Sequence, residues 1–278
     1  MTSPPQLTDR KTLEDRRLRV RTSPTPADFL QREARDDIQE RLEEVNRPFT
    51  APAIVTGWPE IWAGQWGNAR IIEDKEVLDL EPESHDLIIH ALCLHWANDP
   101  VGQLVQCRRA LRQDGLFIGV LFGGQTLHEL RTSLAEAEVS VKGGLSPRVA
   151  PMAEIRDLGA LLQRAGFTLP VADNRSITVS YRDMPHLMRD LRAMAETNVL
   201  VDRLRAPTPR TVFEQAERVY RRSFGASDTT LNATFDMIYL TGWAPDESQQ
   251  KPLRPGSATT RLADALNTGE NTLNDAGN

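Results

Sequence analysis

The sequence predicts an α/β fold, in which a mostly parallel β-sheet is covered by helices on both faces. Two continuous apolar runs, residues 87–91 and 116–121, are typical of strands that are buried on both sides. Segments with apolar residues three or four positions apart, typical of amphipathic helices, separate these runs from other short apolar runs. This alternation of strands and helices is the pattern of a doubly wound sheet.

Composition and charge narrow the class of protein. With 278 residues, 40% of them hydrophobic, the chain is long enough for one large domain and is neither wholly disordered nor collagen-like. Its apolar runs are far shorter than the roughly 20 residues that cross a bilayer, and its first residues predict no signal peptide. Cys93 and Cys107, both in apolar patterns, favour the reducing cytoplasm. The net charge of −6 argues against nucleic-acid binding.

The two ends of the chain differ from the middle. Residues 1–24 carry six Lys and Arg side chains and few apolar ones, which predicts a basic N-terminal arm exposed to solvent. Residues 25–245 form the predicted domain. Residues 246–278 are polar and contain Pro, Gly and Asn, which predicts a largely disordered C-terminal tail.

The first predicted elements are a helix and a short strand. Thr25 is predicted to cap the helix, since Pro26 suits the first helical position and Asp28 the first turn. Apolar residues then recur every four positions, at Leu30, Ala34, Ile38 and Leu42. A strand is predicted at residues 53–55.

Three tryptophans follow at a spacing of four residues: Trp58, Trp62 and Trp66. On a helix this spacing places the three rings on one face. Core packing is the favoured interpretation, and a stacking surface for a flat ligand is the alternative.

The remaining elements alternate in type. A short strand is predicted at residues 71–72, and Asn98-Asp99 is predicted to cap the helix that follows the strand at 87–91. Beyond the strand at 116–121, the pattern predicts helices at 126–139, 154–165, 185–196 and 211–224, and strands at 177–181 and 235–243.

Ligands of a doubly wound sheet bind beyond the carboxyl ends of its strands. The candidate positions are therefore Thr56-Gly57, Glu73-Asp74 and residues 92–96 and 122–125. His85, His90 and His95 are five residues apart, a spacing that shares no face of a helix or strand, so no metal site is predicted. The sequence lacks a phosphate-binding Walker loop, a nucleophile elbow and the zinc-protease motif.

Several segments together resemble one family. The most specific are Leu94-His95-Trp96 and Phe122-Gly123-Gly124. The full set covers residues 90–99, 109–118, 121–131, 144–147, 157–167 and 254–259. They resemble the methyltransferase-like respiratory complex I assembly factors, whose mitochondrial members are arginine hydroxylases of an iron–sulfur subunit. They also resemble, more loosely, the methyltransferase that starts biotin synthesis.

The resemblance implies a Rossmann-like class I methyltransferase sheet of seven strands, the last of them antiparallel, but one region departs from the family. The glycine-rich loop that follows the first strand in the family keeps only Gly57 here, followed by bulky Trp58 and rigid Pro59. About 15 residues separate Gly57 from Glu73, too few for a helix, a strand and a second helix. The sheet is therefore predicted to be shortened on its nucleotide-binding side.

The resemblance also implies a cofactor and partners. S-adenosylmethionine would be held by Gly57, Asp74, Ala91 and Leu92, with binding impaired by the altered loop. The candidate general bases are His95 and Glu129. The function predicted on this interpretation is that of an S-adenosylmethionine-dependent methyltransferase-family protein.

The alternative is a non-methylating assembly factor or arginine hydroxylase that binds a protein substrate, such as a respiratory-complex subunit. Neither interpretation predicts a nucleic-acid partner or a membrane span.

Overall fold

The computed structural model describes residues 6–225, 230–250, 264 and 268. The chain divides into two compact units, Met1–Pro245 and Asp246–Asn278, and the first unit contains the whole β-sheet. In the second unit, the amide of Ser248 donates to Asp246 Oδ1 at 2.8 Å. The rest of the predicted C-terminal tail, apart from residues 264 and 268, lies outside the described residues.

The described sheet has six strands in the spatial order β2-β1-β3-β4-β6-β5. Strands β2, β1, β3 and β4 are parallel, whereas β6 is antiparallel to both of its neighbours. The strands are β1 Pro52–Thr56, β2 Arg70–Glu73, β3 His85–Ala91, β4 Leu111–Gly123, β5 Thr168–Tyr181 and β6 Leu231–Trp243. The predicted Rossmann-like class, with its last strand antiparallel, is confirmed.

The shortening of the sheet is visible where β2 joins β1. The two strands pair directly, with Ala53 opposite Arg70 and Thr56 opposite Glu73. Between them the chain forms only the four-residue helix α3 and a turn-rich segment. The nucleotide-binding side has therefore lost a strand and closed over the gap, as the short spacing predicted.

Helices cover both faces of the sheet. They are α1 Arg10–Arg21, α2 Phe29–Val45, α3 Pro59–Trp62, α4 Pro100–Ala110, α5 His128–Lys142, α6 Ile155–Arg164, α7 Met184–Ala193 and α8 Arg210–Phe224. Leu87 and Ile89 of β3 pack towards α2, α5, α7 and α8, and Ile88 packs towards α4 and α6, since successive side chains of a strand alternate between faces. Among the described residues, no helix is long and apolar enough to span a membrane.

Residues 10–21 differ from the exposed arm that the sequence favoured. They form α1, which Asp9 caps by accepting a hydrogen bond from the amide of Thr12. Leu13, Arg17 and Val20 are buried on one face of the helix. These three residues are spaced as on one face of a helix, but most of their neighbours are charged. Because the charged residues dominate the composition, the sequence analysis predicted an exposed arm and missed the narrow buried face.

Two other boundaries were predicted wrongly. Helix α2 begins at Phe29, with Asp28 instead of Thr25 at the N-cap position. Strand β5 begins at Thr168, well before residue 177. It lies at the edge of the sheet and most of its side chains are exposed or half-buried, so much of it lacks the apolar run that marks a buried strand.

The tryptophans lie in the core beside α3. Trp58 and Trp62 are buried, and the Trp62 indole donates a hydrogen bond to Gln31 Oε1 at 2.9 Å. Trp66 is half-buried and stacks on Trp62 with ring centroids 5.9 Å apart. Helix α3 ends at Trp62, so the three rings do not share a helical face, but they pack as expected for core residues.

Candidate functional site

The carboxyl ends of β1 and β2 border a groove of about 590 Å³ that α1 covers from one side. Arg17, Gly57 and Asp74 line this groove, together with further charged side chains from α1 and from the end of β2. Two of the predicted cofactor-binding residues, Gly57 and Asp74, therefore lie together. Arg17, which lies between them, was not among the site residues predicted from the sequence.

Asp74 is held by two arginines of α1. Its side chain is 1% exposed, and its carboxylate lies 2.6 Å from Arg17 Nη1 and 2.9 Å from Arg10 Nη2. Burial alone would raise the pKa of Asp74, but the two guanidinium groups outweigh it and hold the pKa below its usual range. The carboxylate is thus ionised and already engaged within the chain.

Gly57 lies directly beneath the same guanidinium. A methyl group on Gly57 would come within 2.5 Å of Arg17 Cζ. The amide of Trp58 donates to Thr56 Oγ1 at 3.0 Å, and Pro59 has no amide hydrogen. The loop therefore offers few free amides where a cofactor would need them.

These contacts test whether S-adenosylmethionine fits the groove. A class I cofactor site needs a small-residue loop with available amides and a free carboxylate at the strand ends. Here Arg17 covers the glycine and pairs with Asp74, while the amide of Trp58 is already bonded. The residues present do not fit the cofactor in this arrangement.

Ala91 and Leu92 lie at the end of β3 and are buried, at 0% and 1% exposure. Leu92 has a φ of 45° and donates its amide to Val120 O at 2.9 Å. The role in the floor of a cofactor site that the resemblance implies for them stays a prediction. Neither residue lines the groove beside Gly57.

A second cavity, of about 270 Å³, lies beyond the ends of β3 and β4. Its wall is largely apolar and is formed by side chains from the sheet and from α5, α7 and α8. Representative lining residues are Phe122, Leu130, Met188, Phe213 and Phe235. We call this the apolar cavity.

His95 lines the apolar cavity next to a carboxylate that the sequence analysis did not single out. Glu196 Oε2 lies 3.2 Å from His95 Nε2 and accepts a hydrogen bond from Trp96 Nε1 at 3.1 Å. The side chains of His95 and Glu196 are 7% and 12% exposed. The ring of His95 also packs on Phe122, with centroids 5.1 Å apart. Glu196 therefore orients the imidazole of His95. The contact joins residues 101 positions apart in the sequence, so it is visible only in the structure.

Glu129, the other candidate base, is placed differently. It is buried at the start of α5, where the Thr234 hydroxyl donates to Glu129 Oε1 at 2.5 Å. Glu129 does not line the apolar cavity. Its contacts fasten α5 to β6, which is a structural role.

The three evenly spaced histidines have separate surroundings. His85 Nδ1 lies 2.9 Å from Ala51 O, and His90 Nε2 lies 2.9 Å from Gln103 Oε1. In the part of the chain that the structure describes, no group of three His, Cys, Asp or Glu side chains could hold a metal ion.

The structure brings in residues that sequence reasoning missed. Arg10 and Arg17 reach Asp74 from the segment that was interpreted as a basic arm. Arg148 contacts Glu138 at 2.6 Å and lines the apolar cavity. The signal for Arg17 was its place between Leu13 and Val20 on one helical face; Glu196 and Arg148 gave none.

Comparisons with known proteins agree with this fold. A family model described as a methyltransferase domain matches residues 62–119. Arginine-hydroxylase NDUFAF5, mitochondrial, of Danio rerio is 38% identical over 72% of this chain and 62% of its own length. The Homo sapiens protein is 40% identical over 70% of this chain and 56% of its own. A malonyl-[acyl-carrier protein] O-methyltransferase of Xylella fastidiosa is 35% identical over 65% of this chain and 59% of its own length.

Solved structures are more distant. The YcgJ protein of Bacillus subtilis has 11% identity and a TM-score of 0.42, over 72% of this chain and 94% of that chain. Haemonchus contortus phosphoethanolamine N-methyltransferase 2, in complex with S-adenosyl-L-methionine, has 12% identity and a TM-score of 0.40. The match covers 74% of this chain and 51% of that chain.

A methyltransferase-domain model matches residues 62–119, and the sheet is of the Rossmann-like class I methyltransferase type. Within this class, the sequence identity confirms the resemblance to the methyltransferase-like assembly factors that include the arginine hydroxylases. The chain spans 56 to 62% of the length of the two arginine hydroxylases cited.

Proposed function

We propose that this chain is a non-methylating member of its class that assists the assembly of a respiratory complex by binding one of its subunits. The observation that carries the proposal is the position of Arg17, which lies over Gly57 and pairs with Asp74. These contacts engage the glycine and the carboxylate that the cofactor would use according to the family resemblance.

The relatives support the protein-directed part of the proposal. Those with the highest identity among the proteins cited above are named arginine hydroxylases, whose name describes an activity other than methyl transfer. Buried, unpaired Cys93 and Cys107 suit action in a reducing compartment such as the cytoplasm. The partner would be a protein substrate or respiratory-complex subunit.

A calorimetric titration with S-adenosylmethionine tests the first half. The family resemblance implies an acid after the second strand that binds the ribose of the cofactor, and this sequence has no evident counterpart. Loss of that charge-assisted hydrogen bond alone is expected to weaken binding roughly 10- to 100-fold. We expect no saturation up to about a millimolar. A low-micromolar dissociation constant would restore methyl transfer as the function.

Deletion of the gene in its host tests the second half. We expect the mature respiratory complex I, measured on native gels and by its electron-transfer activity, to decrease and to be restored by the wild-type gene. Mass spectrometry of the complex I subunits then distinguishes binding from modification, because a hydroxylated arginine gains one oxygen atom. Normal complex I in the deletion strain would contradict the proposal.

Methyl transfer is the second candidate, and two observations favour it. The groove at the ends of β1 and β2 keeps a volume of about 590 Å³ despite the Arg17 contact. A malonyl-[acyl-carrier protein] O-methyltransferase is also among the relatives. The same titration separates the two candidates, since methyl transfer requires cofactor binding.

A further inference from the structure

The apolar cavity has an uneven charge distribution. Arg16, Arg148 and Arg192 line it, against a single lining carboxylate, Glu196. Arg148 is balanced by Glu138, which lies outside the lining at 2.6 Å. Of the other two, Arg192 is exposed to solvent, which hydrates its guanidinium, whereas Arg16 is half-buried.

Neither of these arginines has a carboxylate within 4.0 Å in the part of the chain that the structure describes. The guanidinium of Arg16 donates instead to Thr197 Oγ1 at 2.5 Å and to Asn198 O at 2.8 Å. Arg16 is half-buried, and burial together with nearby Arg203 lowers its pKa. A partly desolvated cation held only by neutral acceptors is unfavourable until an anion approaches it.

Glu196 does not supply that anion. Its Oε2 is engaged by the indole of Trp96 and the imidazole of His95. Glu196 keeps its negative charge, but it lies more than 4.0 Å from the Arg16 guanidinium and forms no ion pair with it. The polar part of the cavity is therefore net positive, whereas the rest is lined by Phe, Leu and Met side chains.

We propose that the apolar cavity binds an organic anion with an apolar body, with its acidic group at the guanidinium of Arg16. The apolar body would lie between Phe122, Leu130 and Phe235, where its burial supplies most of the affinity. The class that matches this combination is a medium-chain carboxylic acid. The inference is independent of the proposed assembly function.

Three eight-carbon probes that differ only in their head group test the ligand class. Octanoate, 1-octanol and octylamine are titrated calorimetrically into the full chain at pH 7. We expect octanoate to bind at least about tenfold more tightly than 1-octanol, because a hydrogen bond to a charged group adds about that factor. Octylamine is expected to bind no better than the alcohol, because like charges repel.

Matched variants locate the head group. Arg16→Gln is expected to abolish the advantage of octanoate over 1-octanol. Arg19→Gln, on the same helix but exposed and outside the cavity lining, keeps it. Met188→Trp, which fills the half-buried wall, is expected to weaken all three probes, with circular dichroism confirming that the variant is folded.

The proposal is overturned if octanoate and 1-octanol bind equally, if octylamine binds most tightly, or if octanoate does not bind. An undiminished preference for octanoate in Arg16→Gln would equally remove Arg16 from the site. Because no step of this test uses S-adenosylmethionine or complex I, its failure is distinguishable from failure of the proposed function.

Discussion

Arg17 and Asp74 form an ion pair with a 2.6 Å separation, and their side chains are only 8% and 1% exposed. They are 57 residues apart in the sequence. The pair fastens the N-terminal helix to the end of β2, so α1 is an integral part of the domain. A buried pair of this kind makes the loss of either partner expensive, because the other charge stays buried.

Replacing Arg17 by Ala should therefore destabilise the protein by about 3–5 kcal/mol. The guanidinium of Arg10 lies 2.9 Å from Asp74 Oδ1 and would still compensate part of the Asp74 charge. The loss of unfolding free energy should therefore be near the lower end of this range. The measurement is urea unfolding at pH 7. Arg19→Ala, an exposed position on the same helix, serves as the control and should change stability by less than about 0.5 kcal/mol. Equal effects of the two substitutions would show that the ion pair does not hold the helix.

Gly57→Ala should depend on Arg17. The added methyl group would lie 2.5 Å from Arg17 Cζ, and the guanidinium is fixed by Asp74, so we expect a cost of about 1–3 kcal/mol from overpacking. In the Arg17→Ala background the same substitution should cost clearly less. A double-mutant cycle of unfolding free energies measures the coupling. Strictly additive effects would mean that the two residues do not touch in solution.

Trp62→Ala tests the core beside the shortened side of the sheet. The side chain is fully buried and donates to Gln31, so its removal should cost about 3–5 kcal/mol. Trp66→Ala is the natural comparison, because that ring stacks on Trp62 but is only half-buried, and it should cost less. Thermal and urea denaturation of both variants supply the numbers. Unchanged stability in Trp62→Ala would exclude a structural role.

The Glu138 carboxylate should make stability depend on pH. Burial would raise its pKa, but hydrogen bonds from Arg148 and Ser146 prevail and lower the pKa to about 2. A lowered carboxyl pKa contributes stability that is fully present above the unfolded value of 4.5 and is lost as pH falls towards about 2.

Glu138→Gln should therefore be less stable than the wild type at pH 7, and the difference should shrink below about pH 4.5. Urea unfolding of both proteins at several pH values between these limits is the measurement. Glu136→Gln on the same helix, whose partner Arg222 is 65% exposed, should show little of this dependence. A difference that is constant with pH would contradict the assignment.

The sequence predicted the buried strands well because their signal is local. Apolar runs such as residues 87–91 and 116–121 are continuous, and two-sided burial leaves them little alternative. The lost strand was equally readable, since the spacing between Gly57 and Glu73 is too short for it. Strand β5 was predicted only at its C-terminal end, because an edge strand with polar side chains lacks that pattern.

The candidate site was less readable, because its contacts join distant segments. Gly57 and Asp74 were predicted from the strand ends and from the resemblance. The residue that contacts both, Arg17, lies in a segment that was interpreted as an exposed arm because of its charge. His95 was found in a specific motif, but Glu196 is 101 residues away and has no motif of its own. Charged residues are exposed on average, so a charged segment is normally predicted to lie in solvent. Arg17 is an exception, because its burial depends on the packing of α1 against the end of β2.

Because α1 is part of the same chain, the groove at β1 and β2 has a tethered occupant. A tethered segment acts at an effective concentration on the order of millimolar, independent of dilution. A freely diffusing molecule that needed Gly57 and Asp74 would compete with α1. Its apparent affinity would equal its intrinsic affinity multiplied by the fraction of time that α1 is undocked. The docking of residues Asp9 to Thr22 would thus control how often Gly57 and Asp74 are available to a ligand.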